Sequence, residues 1–134
     1  IIAHAKAYTI VEVSPQQIDE LNILQATLKA MNQVADNLKR QFDKVLVDGN
    51  KLPNWDYNSE AIVKGDSKIQ EISAASILAK VHRDNICLEH DRLYPQYGFA
   101  KHKGYPTKEH LENIRKYGVL DIHRKSYKPI QLLL

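Results

Sequence analysis

One cysteine, one methionine, one tryptophan and five glycines in 134 residues exclude several large classes of protein at the outset. The lone Cys87 cannot form an internal disulfide, so a cross-linked secreted scaffold is ruled out and a reducing cytoplasm fits. There is no apolar run of membrane-spanning length, and Ile1-Ile2-Ala3 is too short for a spanning or signal segment. The six histidines (His4, His82, His90, His102, His110 and His123) show no HExxH spacing and have no cysteine partner, which argues against zinc. Glycine-rich phosphate loops and serine-nucleophile motifs are also missing. No internal repeat or low-complexity tract is visible.

What is present describes an ordinary globular chain with an uneven charge distribution. A hydrophobic content of 43% and a charged content of 26% suit a single domain, 1–134, large enough to bury a core. The net charge of +3 hides an asymmetry. Residues 1–95 carry 11 basic and 13 acidic side chains, whereas residues 96–134 carry 8 basic and 3 acidic ones. The basic end also holds Tyr97, Phe99, Tyr105, Tyr117 and Tyr127. Cations interleaved with rings suit a polyanion that carries sugars and bases, and equally suit a plain solvated surface.

Strands and helices alternate in the sequence pattern, which points to an α/β domain. Residues 5–13 alternate and are rich in β-formers, so a strand is expected there. Ser14-Pro15-Gln16-Gln17 combines a cap, a proline at the first helical position and a glutamine three residues after the cap. Ile18, Leu21, Leu24, Leu28, Met31, Val34 and Leu38 continue as one core-facing stripe on a long helix, with a break near Asn22. Lys44-Val-Leu-Val47 reads as a short strand ending at Asp48, and Gly49-Asn50 turns the chain. Residues 51–60 read as a loop and Ala61-Ile-Val63 as the next strand. Ser67 with Gln70 marks a second cap, before a helix from about Ile69 to Leu93. Its small residues Ala74, Ala75, Ser76 and Ala79 would let the backbone approach a sheet. Gly98 and Gly104 punctuate a basic loop, and Thr107 opens a third helix that stops at Gly118. The tail from Asp121 is irregular or a short helix.

Two blocks carry candidate chemistry. Ala61-Ile-Val-Lys-Gly-Asp66-Ser67 leads from a strand through an acidic loop into a helix. Tyr97-Gly-Phe-Ala-Lys-His-Lys-Gly-Tyr105-Pro-Thr107 mixes cations with rings. Acids at strand ends can hold a hard metal ion, and a basic aromatic loop can hold a nucleic acid. Together they point to metal-assisted chemistry on a phosphodiester. Asp48 could serve as such an acid or simply as a turn residue. Asp66 could be one or could cap a helix. Asp84 has Lys80 four residues before it, so a pair on one helix face accounts for it. Lys101, Lys103, Arg124 and Lys125 are plausible phosphate contacts.

The same blocks carry a resemblance. Val47-Asp48-Gly49-Asn50, Lys64-Gly65-Asp66-Ser67, Ile72-Ser-Ala-Ala-Ser-Ile-Leu-Ala-Lys-Val81, Lys101-His-Lys-Gly-Tyr-Pro-Thr107 and His123-Arg-Lys-Ser-Tyr127 follow one another in the order seen in bacterial ribonuclease HII. The likeness spans roughly residues 5 to 131. It implies a ribonuclease H-like mixed sheet flanked by helices, with acids converging at strand ends. It also implies an endonuclease that cuts the RNA strand of RNA–DNA hybrids, including single ribonucleotides embedded in a DNA duplex, leaving a 5′-phosphate and a 3′-hydroxyl. Asp48 and Asp66 match the third and fourth catalytic acids and would bind Mn²⁺ or Mg²⁺, ions that prefer oxygen ligands. Tyr105 matches the residue that meets the sugar beside the scissile ribonucleotide.

The likeness fails at one place. The family's adjacent Asp-Glu pair and Gly-Arg-Gly turn have no counterpart, since the only Asp-Glu here, Asp19-Glu20, falls in an expected helix. The chain therefore reads as the C-terminal portion of such an enzyme, missing its first strands and two of its four acids. Negligible cleavage by this chain alone is expected. A complete enzyme is expected to be monomeric, while a sheet lacking its first strands would associate through its exposed edge. Two other readings stay open: a non-catalytic nucleic-acid-binding module using the basic aromatic end, and a protein-interaction domain.

Overall fold

The structure is a computed structural model that describes residues 2–133. The described chain is mostly helical and carries one small sheet. It divides into two compact units, one comprising Ile23–Ala79 with the chain before Ser14, the other comprising Ser14–Asn22 with the chain from Lys80 onward.

In the first unit, helix α2 covers Ile23–Asn37. It follows α1, Pro15–Leu21, which belongs to the second unit. Asn22, at φ 72°, breaks the helix between them. The long apolar stripe is interrupted accordingly. Leu28, Met31, Val34 and Leu38 are half-buried and Leu24 is exposed, while the enclosed residues of α2 are Ala26 and Ala35. Strands β1, Val45–Asp48, and β2, Ser59–Ile62, pair in parallel, with Val47 opposite Ala61 and Asp48 opposite Ile62. A short helix α3, Gly65–Lys68, follows, and Ile69 returns to extended backbone before α4, Gln70–Leu93.

Four expectations need correction here. Residues 5–13 form no strand among the described residues, because alternation only permits β-structure and a ladder also needs a partner for its N–H and C=O groups. The larger mixed sheet is likewise reduced to two parallel strands among the described residues. Ser67 caps no long helix. Its hydroxyl donates to the Lys64 carbonyl at 2.9 Å inside the turn of α3. On α4 the small residues Ala75, Ser76 and Ala79 are exposed, and the buried residue of that stretch is Ile72.

The second unit is built around rings. Helix α1 starts as expected: the Gln17 N–H donates to Ser14 Oγ at 3.2 Å, and the Ser14 N–H donates to Gln17 Oε1 at 3.3 Å. After α4 come a 3-10 turn at Pro95–Tyr97, the four-residue α5 at Phe99–His102, α6 at Lys108–Tyr117 and the short α7 at Lys128–Gln131. Thr107 caps α6 by accepting from the His110 N–H, and Gly118 ends it. Tyr97, Phe99, Ile114 and Ile130 form the core, with Tyr94, Leu111, Val119, Leu120, Ile122 and Tyr127 packed against it. Tyr97 is 1% and Phe99 3% exposed, so these two rings are core rather than part of a nucleic-acid surface. Cys87 is fully buried.

Candidate functional site

The two acids sit where the parallel strands end. Asp48 is the last residue of β1, exposed beyond the buried Val47. Its Oδ1 accepts a hydrogen bond of 2.9 Å from the Gly65 N–H. That bond ties the end of β1 to the turn after β2, and a second one helps, from the Gly49 N–H to the Ile62 carbonyl at 2.9 Å. The turn is sharp because Lys64 is left-handed, at φ 57°. Gly65 is closely packed: a Cβ there would come within 2.7 Å of Ile72 Cδ1, whose end would have to shift, and 3.6 Å from the Asp48 Cα.

Asp66 follows at once, in the first turn of α3. It is not a cap, since the cap position is Lys64, which makes no side-chain capping bond. Among the described residues the Asp66 carboxylate has no hydrogen-bond or ion-pair partner, and Asp48 Oδ2 has none either. The carboxyl ends of parallel strands are where α/β sheets commonly present ligand-binding groups. Lys80 does pair with Asp84, at 3.0 Å, as the four-residue spacing implied.

These two carboxylates suit a hard divalent ion in kind. They are exposed oxygen donors on fixed backbone, and Mg²⁺ typically takes one or two carboxylates and keeps several waters. Among the described residues no group of three or more His, Cys, Asp or Glu side chains is gathered for a metal.

The basic aromatic loop lies in the second unit. Tyr105 is 70% exposed, so its ring does not pack the loop. Its neighbours differ from one another. Lys101 is held by Glu109 at 2.8 Å. That hydrogen bond raises the Lys101 pKa and lowers that of Glu109. Lys103 is half-buried in a left-handed conformation, at φ 55°, where it ends α5. Gly104 has φ 85°, and a Cβ there would meet an Arg83 guanidinium nitrogen at 2.6 Å. Arg124 is half-buried, with its guanidinium 4.8 Å from the Tyr127 ring centre and its Nε enclosed without a hydrogen bond. Lys125 is exposed, 3.9 Å from Asp121.

Two structural supports were not visible in the sequence. Asp19 accepts from the Lys125 N–H at 3.1 Å, the Ser126 N–H at 2.9 Å and the Ser126 hydroxyl at 2.6 Å. These bonds, led by the Ser126 hydroxyl, hold its pKa below the usual carboxylate value, and they fix the turn that carries Arg124 and Lys125. No local pattern links residues so far apart in the chain. The second support is a group of three buried histidines, His102, His110 and His123. The His102 and His110 rings stack at 3.8 Å, and His110 Nε2 lies 3.2 Å from His123 Nε2. Their spacing in sequence resembles no metal motif, and none announces a packed cluster.

Asp48 thus ends a strand, Asp66 opens a short helix, and the basic loop presents an exposed tyrosine. The chain belongs to the ribonuclease HII family, whose model, described as Ribonuclease HII, matches residues 2–130. It is 96% identical over 134 residues to a ribonuclease HII of Francisella philomiragia subsp. philomiragia, covering all of this chain and 72% of that protein. It is 95% identical to the ribonuclease HII of Francisella tularensis subsp. novicida and 93% identical to one from Francisella tularensis subsp. tularensis, with the same coverage.

Proposed function

We propose that this chain carries part of the catalytic and substrate-binding apparatus of an endonuclease that hydrolyses the RNA strand of RNA–DNA hybrids and cuts at single ribonucleotides in duplex DNA. The observation that carries the reading is the coupling of Asp48 to Gly65 beside the unpartnered Asp66. It gives two oxygen donors a fixed backbone at the positions where the family resemblance puts catalytic acids. Asp48 and Asp66 would hold Mg²⁺ or Mn²⁺. The bound metal would activate the attacking water and stabilise the leaving oxygen. Asp48 keeps its direction through the Gly65 N–H, and Asp66 offers its whole carboxylate. Tyr105 would lie against the sugar beside the scissile ribonucleotide. Lys103, Arg124 and Lys125 would neutralise phosphates. Lys101 would join them only on leaving Glu109.

The rest of the reading follows the family. We take the chain as one ribonuclease HII-like domain with a ribonuclease H-like sheet, cytoplasmic, and monomeric when complete; a chain without the first strands would associate through the sheet edge. Among the described residues no helix is long and apolar enough to cross a membrane. The Asp-Glu and Gly-Arg-Gly segment has no counterpart in the sequence, so two of four expected acids are missing and the chain alone should cleave negligibly.

The test is a Mn²⁺- and Mg²⁺-dependent time course on a DNA duplex with one ribonucleotide, run on this chain and on one extended to the relatives' full length. Cleavage 5′ of the ribonucleotide by the longer chain alone supports the reading. Full turnover by this chain would refute the need for further acids. The basic charge of residues 96–134 favours a second reading, a binding module without catalysis. It predicts salt-sensitive duplex binding that survives Asp48→Asn and Asp66→Asn, with no cleavage from either chain.

A further inference from the structure

The buried histidines have no part in the reading above, yet their protons can be placed. His102 Nδ1 accepts from the Gly104 N–H at 3.0 Å, so its Nε2 carries the proton and donates to the Tyr97 carbonyl at 2.7 Å. His123 Nδ1 accepts from the Leu120 N–H at 2.9 Å, so its proton also sits on Nε2 and points to His110. His110 Nε2 therefore accepts, and its proton sits on Nδ1, 2.9 Å from the Tyr105 carbonyl oxygen. One consistent set of neutral tautomers satisfies every ring nitrogen in the group.

The chain of bonds ends on the backbone of Tyr105. Its carbonyl accepts from both His110 Nδ1 and the Thr107 N–H, the latter at 2.8 Å. Its own N–H donates to the His102 carbonyl at 3.0 Å. Pro106 follows and restricts the tyrosine backbone further. The backbone is thus held on every side, while the ring is exposed. A solvated aromatic on an over-determined backbone is the geometry of a preorganised contact.

We propose that His110, backed by His123, is a positioning residue that holds the Tyr105 carbonyl and thereby directs the Tyr105 ring toward the substrate sugar; this rests on the reading of Tyr105 as a substrate contact. An added proton on either ring would face an N–H donor. Burial also lowers both pKa values, that of His123 to about 4, with His110, His102 and His90 adding to its shift. The pair therefore holds its neutral arrangement at working pH.

Two measurements on this chain test the inference. Imidazole ¹⁵N spectra at pH 7 should show protons on His102 Nε2, His110 Nδ1 and His123 Nε2. A charged His110, or one protonated on Nε2, overturns the network. The second measurement is the preference for a duplex with one ribonucleotide over the same duplex carrying a ribose at the next position too, the sugar that Tyr105 would meet. His110→Phe removes the donor and should cut that preference about tenfold, the loss expected for one hydrogen bond's worth of alignment. His110→Asn can still donate to the carbonyl and should stay within about threefold of the parent. A folded His110→Phe with unchanged preference overturns the proposal, and so does an Asn variant that loses it. Tyr105→Ala separates the two readings. If it abolishes the preference and His110→Phe does not, the positioning role alone fails. If it leaves the preference intact, the role of Tyr105 in binding fails and the positioning role goes with it.

Discussion

The two units solve different problems with different materials. The first has a sparse interior, in which Ala26, Ala35, Val47 and Ile72 are buried, and it presents the exposed Asp48 and Asp66 on short backbone elements. The second encloses Tyr97, Phe99, Ile114 and Ile130 together with three histidines, and presents its exposed tyrosine from a densely hydrogen-bonded loop. Acids that take up a hydrated ion need only direction, because the ion and its waters complete the shell. A ring that must meet a sugar at one angle needs a stiff support. On the proposed function, the contrast lies in how much of each site's geometry this chain supplies by itself.

The strongest way to break that comparison is to remove the acids. In a chain extended to the relatives' full length, Asp66→Asn should lower cleavage by about a thousandfold, since electrostatic stabilisation by metal is worth several kcal/mol. Duplex binding should change little. Next comes the interior. Ile114→Ala should cost about 3 kcal/mol in urea unfolding, as expected for emptying a buried isoleucine site. Val47→Ala should cost less, because a smaller side chain is lost from a thinner interior. Equal costs would remove the distinction between the units.

Acid should separate them too. Burial depresses His123 to about 4 and lowers His110, so both are neutral when folded and take up protons on unfolding. The unfolded chain then binds more protons below its ordinary histidine pKa, about 6.5. Stability from these groups is full above that pH and is lost as pH falls below it, for His123 toward about 4. The lowered carboxylates Asp19, Glu89 and Glu109 act in a lower window, losing their contribution only as pH drops below the ordinary carboxylate range. Hydrogen exchange at pH 7 and 5 should therefore show protection falling in the second unit first. A uniform fall would show that the histidines do not control it.

Much of this was legible in sequence where the signal is local. The Ser14–Gln17 cap, the break near Asn22, β1 ending at Asp48, the Thr107 cap and the stop at Gly118 all rest on short-range chemistry, and all are present. What failed depended on partners. The strand expected at 5–13 needs a neighbouring strand, and the small face of α4 needs something to pack against. The rings at 97 and 99 looked the same in sequence as the ring at 105, and only the fold separates core from surface. Asp19 shows the same limit, since it caps a turn more than a hundred residues away. Asp19→Ala should cost about 1 kcal/mol of stability, allowing for solvent screening. It should also weaken duplex binding by freeing the turn at Arg124 and Lys125; unchanged binding would mean that this turn meets no phosphate.

The smallest effect is also the most discriminating for the basic loop. Lys101 and Glu109 neutralise each other in an exposed pair, which contributes little to stability. If the loop meets a phosphodiester backbone, Glu109 competes with phosphate for the same ammonium. Glu109→Gln removes the competitor and one negative charge, so binding at low salt should tighten. The logarithm of affinity against the logarithm of salt should then steepen by about 0.9, the increment for one further phosphate neutralised. Lys101→Ala in the parent should change that slope little, because the pair is already closed. If Glu109→Gln leaves the slope alone, Lys101 does not face the nucleic acid, and the cations at 103, 124 and 125 must account for binding without it.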